Sequence, residues 1–254
     1  ESLDSKGNSP LYLAVALQRR DIADLLLSHG ASPEKVIHAA VINREPDILE
    51  LLLALSANPD EKDEAGQTPL HLIASFKNSE PQDIKMAELL LDNAARLDLS
   101  DENNCSVLHK TVLNGNEDLV RLFAARGCEL NAKCCGVTPL HIASQLNNAN
   151  IVKILIENNA QIEILDEEGD TPLEYASWAD SYETCKLLIN SGALISAPRS
   201  KSRTALHFAC ARNSIKVADL LIKLGADIIA KDQLGLAPVQ YAQIMGNKKI
   251  VGMF

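Results

Sequence analysis

Three stretches of this chain, "LVRLFAARGC" at 119–128, "IVKILIENNA" at 151–160 and "VADLLIKLGA" at 217–226, carry apolar residues at i, i+3 and i+4. That spacing puts one apolar face on a helix. Gly127, Asn159 and Gly225 close these runs, as Gly30 and Gly192 close similar ones, each before a small residue. This is the signature of a left-handed C-cap. A shorter helix precedes each long one. In "TPLHIAS" at 138–144, Thr138 supplies a hydroxyl N-cap and Pro139 sits at the first helical position, where its missing N–H costs nothing. Polar turns such as "QLNNAN" and "VLNGNED" separate the two helices, and "DEEGD" or "DQLGL" turns the chain toward the next pair.

The short-helix phrase recurs. Near copies are "TPLHLIAS" at 68, "TPLEYAS" at 171, "TALHFAC" at 204, "SPLYLAV" at 9 and "APVQYAQ" at 237, with weaker echoes "SVLHKTV" at 106 and "KVIHAAV" at 35. Aligned on the first residue (Ser9, Lys35, Thr68, Ser106, Thr138, Thr171, Thr204, Ala237), the spacings are 26, 33, 38, 32, 33, 33 and 33. A period near 33 with a T-P-L-H-x-A core resembles the ankyrin repeat, a β-turn followed by two antiparallel helices.

The resemblance spans essentially the whole chain. It implies an all-α solenoid of stacked helix-turn-helix units with β-turn fingers, eight repeats in all, the first and last partial or degenerate. A single helix pair of this size cannot bury its apolar face, so every unit presents the same interface to the next. The expected organisation is one domain over 1–254, with repeats starting near 4, 31, 63, 101, 133, 166, 199 and 232. The first interval is short, so repeat 2 is expected to lack much of its finger. The third carries extra residues, "NSEPQ", in the turn of repeat 3, and repeat 7 has "RSKS" for the usual finger. The chain stops at "KKIVGMF", inside an amphipathic pattern, and reads as a fragment of a longer one.

Composition narrows the function. Apolar residues make up 46 % of the chain, enough for a continuous core, and aromatics only 4 %, which argues against a β-sandwich. The formal charge is −10, which disfavours nucleic acid and anionic membranes. Residues 1–127 hold 12 Lys/Arg against 21 Asp/Glu, and 128–254 hold 12 against 13. No apolar run reaches the roughly 18 residues of a membrane helix. A cytoplasmic, reducing location is expected, because six cysteines without a recognisable pairing suit free thiols.

Candidate chemistry is sparse. His38, His71, His109, His141 and His207 share one slot of the phrase, where the resemblance implies a structural hydrogen bond. His29 ends a long helix alone. Cys128, Cys185 and Cys210 fall where other repeats place Ala or Val and read as small buried hydrophobes. Cys105, Cys134 and Cys135 fall in turns as exposed thiols, with poor zinc geometry. Asp166 to Asp170 lack the spacing of a calcium loop. No nucleophile elbow, zincin or phosphate-loop motif occurs, so no enzymatic activity, metal or cofactor is expected.

What remains is a surface. The resemblance implies a concave groove lined by the fingers and the exposed ends of the short helices. By register these ends include Phe76, Leu113, Asn114, Gln145, Leu146, Trp178, Arg212, Ile244 and Met245, and the fingers contribute Glu168, Asp170, Lys201, Arg203 and Leu236. Trp178, the only Trp, is the strongest anchor candidate, since interface energy concentrates in Trp, Tyr and Arg. An acidic or phosphorylated protein segment is the expected partner near Arg203 and Arg212; nucleic acid and membrane insertion are not expected. The function expected is therefore an adaptor or scaffold module for protein–protein interaction. The alternative is a spacer segment of a larger scaffold, channel or endosomal ankyrin–FYVE-type adaptor, to whose repeats "DSKGNSPLYLAVALQRRDIADLLLSHG" is similar.

Overall fold

The computed structural model describes residue 4 and residues 8–33, 36–78, 80–196 and 203–254. Among them the chain is all helix, with no β-strand. Eight short–long pairs follow one another. They are α1 (Pro10–Ala16) with α2 (Arg20–Ser28), α3 (Ile37–Ile42) with α4 (Pro46–Ala54), α5 (Pro69–Ala74) with α6 (Pro81–Asp92), and α7 (Val107–Leu113) with α8 (Glu117–Ala125). Then come α9 (Pro139–Gln145) with α10 (Ala149–Glu157), α11 (Pro172–Trp178) with α12 (Tyr182–Asn190), α13 (Ala205–Arg212) with α14 (Ile215–Lys223), and α15 (Pro238–Ile244) with α16 (Lys248–Val251).

The chain forms two compact units, Glu1–Phe123 and Ala124–Phe254. In the first, α1, α3, α5 and α7 pack side by side in chain order and α4 packs on α6. In the second, α9, α11, α13 and α15 form one layer and α10, α12, α14 and α16 the other. Fully buried alanines, Ala74 in the first unit and Ala143, Ala176 and Ala209 in the second, let the short helices approach closely. Buried aliphatics such as Leu70, Met86 and Leu90, or Leu155, Leu188 and Leu221, fill the space between layers. Each such side chain contributes about 1.5–3 kcal/mol of transfer free energy.

The expected extra residues of repeat 3 do not all go into its turn. Helix α6 runs for 12 residues, where its counterparts α4, α8, α10, α12 and α14 run for nine. Pro81 at its first position starts it early, and Asp83 accepts from the Glu80 N–H at 2.8 Å to cap it. Arg44 then reaches across to Asp83 (Nε–Oδ1 2.8 Å) and to the Asn78 carbonyl (2.9 Å), so the longer turn is tied to repeat 2.

The fingers fold by a shared rule. An aspartate opens each of four of them, and its Oδ1 accepts two backbone N–H groups ahead of it. Asp63 takes Ala65 and Gln67, Asp101 takes Asn103 and Cys105, Asp166 takes Glu168 and Asp170, and Asp232 takes Leu234 and Leu236, all at 2.8–3.0 Å. Backbone bonds such as Asp166 N–H to Asp170 carbonyl (2.9 Å) close the same loops. At the tip, Gly66 holds φ +68° with the Glu102 backbone nitrogen 3.0 Å from where a Cβ would stand; a side chain there meets both strain and a neighbour.

Candidate functional site

The short helices of the second unit are fixed from both ends. In α9 the neutral ring of His141 accepts at Nδ1 from the Thr138 N–H (3.2 Å) and hydroxyl (2.9 Å), and its Nε2–H donates to the Asp170 carbonyl (3.1 Å) on the next finger. His207 in α13 repeats the arrangement with Thr204 and the Leu236 carbonyl (3.0 Å). In the first unit His71 does so with Thr68 and the Cys105 carbonyl (3.2 Å). Burial holds all three imidazoles below their ordinary pKa, and only the Nε2–H tautomer fits both partners. The structural role expected for the shared histidine is what these rings perform.

Glu174 takes the histidine slot in α11. It is buried and accepts from the Thr171 N–H and hydroxyl (2.5 and 2.8 Å), supplying the accepting half of the same box. One residue on, the Tyr175 hydroxyl donates to Asp166 Oδ2 at 2.7 Å, and its ring stands edge-on to His141 at 4.9 Å. Burial and then the bond to Asp166, with the Asp170 and Glu168 charges nearby, push the Tyr175 phenol above its ordinary pKa.

These groups wall a cavity of about 270 Å³ together with Gln145, Glu168, Asp170, Trp178, Arg203 and Phe208. A second cavity of about 230 Å³ shares Glu168, Asp170 and Arg203, and adds Asp232, Gln233, Leu234 and Tyr241. Trp178 is 39 % exposed. Phe208 meets it edge-on at 5.9 Å, and the Arg212 guanidinium lies 4.6 Å from its ring centre. Arg203 lies 4.7 Å over Phe208.

Five residues nominated from sequence therefore come together here: Gln145, Glu168, Asp170, Trp178 and Arg203, with Arg212 against Trp178. Leu146 and Met245 are exposed ends of α9 and α15 outside the cavities, and Leu236 serves a finger through its backbone. In the other unit, Phe76 lies under the Arg44 guanidinium (4.4 Å) and Leu113 is 61 % exposed. Asn114 is engaged structurally, donating to the Ala74 and Lys110 carbonyls at 3.0 Å; Asn43 and Asn247 make the matching bonds to Val15 and Cys210. Lys201 lies outside the described residues. Asp166, Glu174, Tyr175 and Phe208 also belong to this site, and register alone does not nominate them. The available signal was a tyrosine nine residues after a finger aspartate, seen twice: Tyr241 donates to Asp232 at 2.5 Å as Tyr175 does to Asp166.

The cysteines divide differently from expectation. Cys128, Cys185 and Cys210 are buried free thiols, and Cys135 is an exposed one. Cys105 and Cys134 are disulfide-bonded rather than free, and Cys134 is buried, because its turn folds back through paired bonds with Val137. The reducing compartment expected from a disulfide-free chain loses that ground. Among the described residues no cluster of His, Cys, Asp and Glu is arranged to hold a metal ion, and no helix is long and apolar enough to cross a membrane.

Family models described as ankyrin repeats match residues 6–36, 37–134, 108–199 and 188–242. The chain is 29 % identical over 182 residues to Protein glp-1 of Caenorhabditis elegans, covering 64 % of this chain and 14 % of that protein. It is 26 % identical over 183 residues to human transient receptor potential cation channel subfamily A member 1, covering 65 % of this chain and 16 % of the channel. It is 31 % identical over 168 residues to Putative ankyrin repeat protein FPV230 of Fowlpox virus (strain NVSL), covering 63 % of this chain and 87 % of that protein. The match thus spans less than a fifth of the glp-1 and channel sequences.

Proposed function

The chain belongs to the ankyrin-repeat family, and from that premise we propose that it is a non-enzymatic protein-interaction module whose second unit holds a segment of a partner on the face formed by α9, α11 and α13. Packing and hydrogen bonding consume the phrase residues, so specificity falls to what is left exposed. One observation carries the reading: the only tryptophan of the chain stands half-open at the rim of a cavity between fingers and short helices. A partly buried aromatic beside a cavity, with arginine against it, is what an interface anchor requires.

The acidic or phosphorylated segment expected at Arg203 and Arg212 has less support than the site itself, since each guanidinium already lies over an aromatic ring.

A photo-cross-linker at Gln145 identifies the partner from cells. Its affinity is then measured for the native chain and for Trp178→Ala and Arg212→Ala. Loss of an anchor costs about 2 kcal/mol or more, roughly thirtyfold in affinity. Unchanged affinity in both variants removes this face from the account, and no specific cross-link favours the spacer.

A further inference from the structure

The sign of the partner is written in the cavity walls. Among the described residues, the two adjoining cavities are lined by five carboxylates, Asp166, Glu168, Asp170, Glu174 and Asp232, against one cation, Arg203. Arg212 adds one more charge at the Trp178 ring, so the balance stays negative. Much of this charge is held in place for structural reasons: the Asp166 carboxylate accepts its two finger N–H groups and the Tyr175 hydroxyl. Glu168 is different. It is exposed and makes no ion pair with a described residue.

The rest of the wall is aromatic: Tyr175, Trp178 and Phe208. The protein itself shows what these ring faces accept, for guanidinium groups lie 4.6 and 4.7 Å from the Trp178 and Phe208 centres, within cation–π range. Tyr175 reports the same field, since the nearby carboxylates add to burial in holding its phenol protonated. At about 270 Å³ the main cavity falls below the usual range for a drug-sized ligand and suits the head of one long side chain.

Resting on the interaction reading, we propose that this site receives a basic segment of the partner, with one lysine or arginine side chain inserted between the Tyr175, Trp178 and Phe208 rings and the Asp166, Glu168, Asp170 and Glu174 carboxylates. An inserted cation gains from the rings and the carboxylates together, and the low exposure of Glu174 and Phe208 limits screening by water. A phosphorylated segment would meet the same carboxylates as a penalty, with Arg203 and Arg212 among the described residues in its favour.

The test uses the full chain and two fluorescein-labelled peptides of equal length, one built around Arg-Lys-Arg and the other around Glu-phosphoSer-Glu. Binding is read by polarisation, and location by the emission of Trp178, which no other tryptophan obscures. The basic peptide is expected to bind and to shift that emission, and to bind at least tenfold more weakly to Glu168→Lys and to Trp178→Ala. Circular dichroism verifies that both variants fold. Preference for the phosphopeptide overturns the inference while leaving the interaction reading intact. So does failure of the basic peptide to bind by about 1 mM, the weak end of specific recognition, or binding that both variants leave unchanged. Failure of the interaction reading shows up separately, as indifference of the cross-linked partner to Trp178→Ala.

Discussion

Replacing His141 separates the two things its ring does. The native imidazole makes three hydrogen bonds, to the Thr138 N–H, the Thr138 hydroxyl and the Asp170 carbonyl, and packs against the edge of Tyr175 at 4.9 Å. His141→Ala orphans the buried Thr138 N–H, leaves the Asp170 carbonyl with its Asp166 N–H alone, and leaves a void. Three lost bonds at about 1 kcal/mol each, before any cavity cost, give about 3 kcal/mol. His141→Gln is milder, because Gln240 in the same slot of α15 accepts from the Ala237 N–H at 2.7 Å. The sharper test is pH. Burial lowers the native pKa of His141, so the unfolded chain binds its proton first as pH falls. The stabilising contribution of this neutral ring is complete above the unfolded imidazole value of about 6.5 and is lost progressively below it, at up to about 1.4 kcal/mol per pH unit. Glutamine does not titrate. Urea unfolding followed by circular dichroism, at about pH 7.5 and again at about pH 5.5, compares the native chain with His141→Gln so that every other titrating group cancels. The gap should narrow in acid. A gap that stays constant with pH refutes the assignment of a buried, neutral, Nε2-protonated ring.

Arg44→Ala should cost about 3 kcal/mol in urea unfolding, because the fully buried Asp83 carboxylate then loses its cation; pairing it with Asp83→Asn should recover part of that loss. Iodoacetamide on the native chain should label Cys135 and spare Cys128, Cys185 and Cys210 until unfolding, since burial raises those three thiols to about 12; mass spectrometry reads the sites. Tyr175→Phe should lower stability by about 1.5 kcal/mol through loss of the bond to the Asp166 carboxylate, measured by the same urea titration.

The fold was legible because its signals are local and repeated. Thr138–Pro139 opens α9 as expected, His141 completes its cap, and Asn159 closes the pair with φ +71°. The amphipathic runs became α8, α10 and α14 with their apolar faces buried. The candidate site was legible only in part. Register alone placed Trp178, Gln145 and Arg203 on one face, but it does not reveal where a long side chain ends. Arg212 and Arg203, which register marks as the place for an acidic or phosphorylated segment, lie over Trp178 and Phe208, where the rings offer a weakly hydrated guanidinium apolar cover. Asn114 has the register of a contact residue and the hydrogen bonds of a structural one. The pairing state of Cys105 and Cys134 depends on where their turns lie in space, which spacing along the chain does not encode.

One position in the repeat decides much of the site's electrostatics. In three of the four fingers the residue nine after the aspartate reaches back to that aspartate's second oxygen. In repeat 4 it is Lys110, whose ammonium lies 2.9 Å from Asp101 and neutralises it. In repeats 6 and 8 it is Tyr175 and Tyr241, whose hydroxyls satisfy Asp166 and Asp232 without cancelling their charge. The geometry of the finger is the same in all three, since the Oδ1 bonds that shape it do not depend on what meets Oδ2. Folding is therefore indifferent to a choice that changes the field of the adjoining cavity by a full unit charge. A repeat free to vary at such a position can set the sign of what it attracts while its stack stays unchanged, and in the second unit both of these tyrosines leave the sign negative.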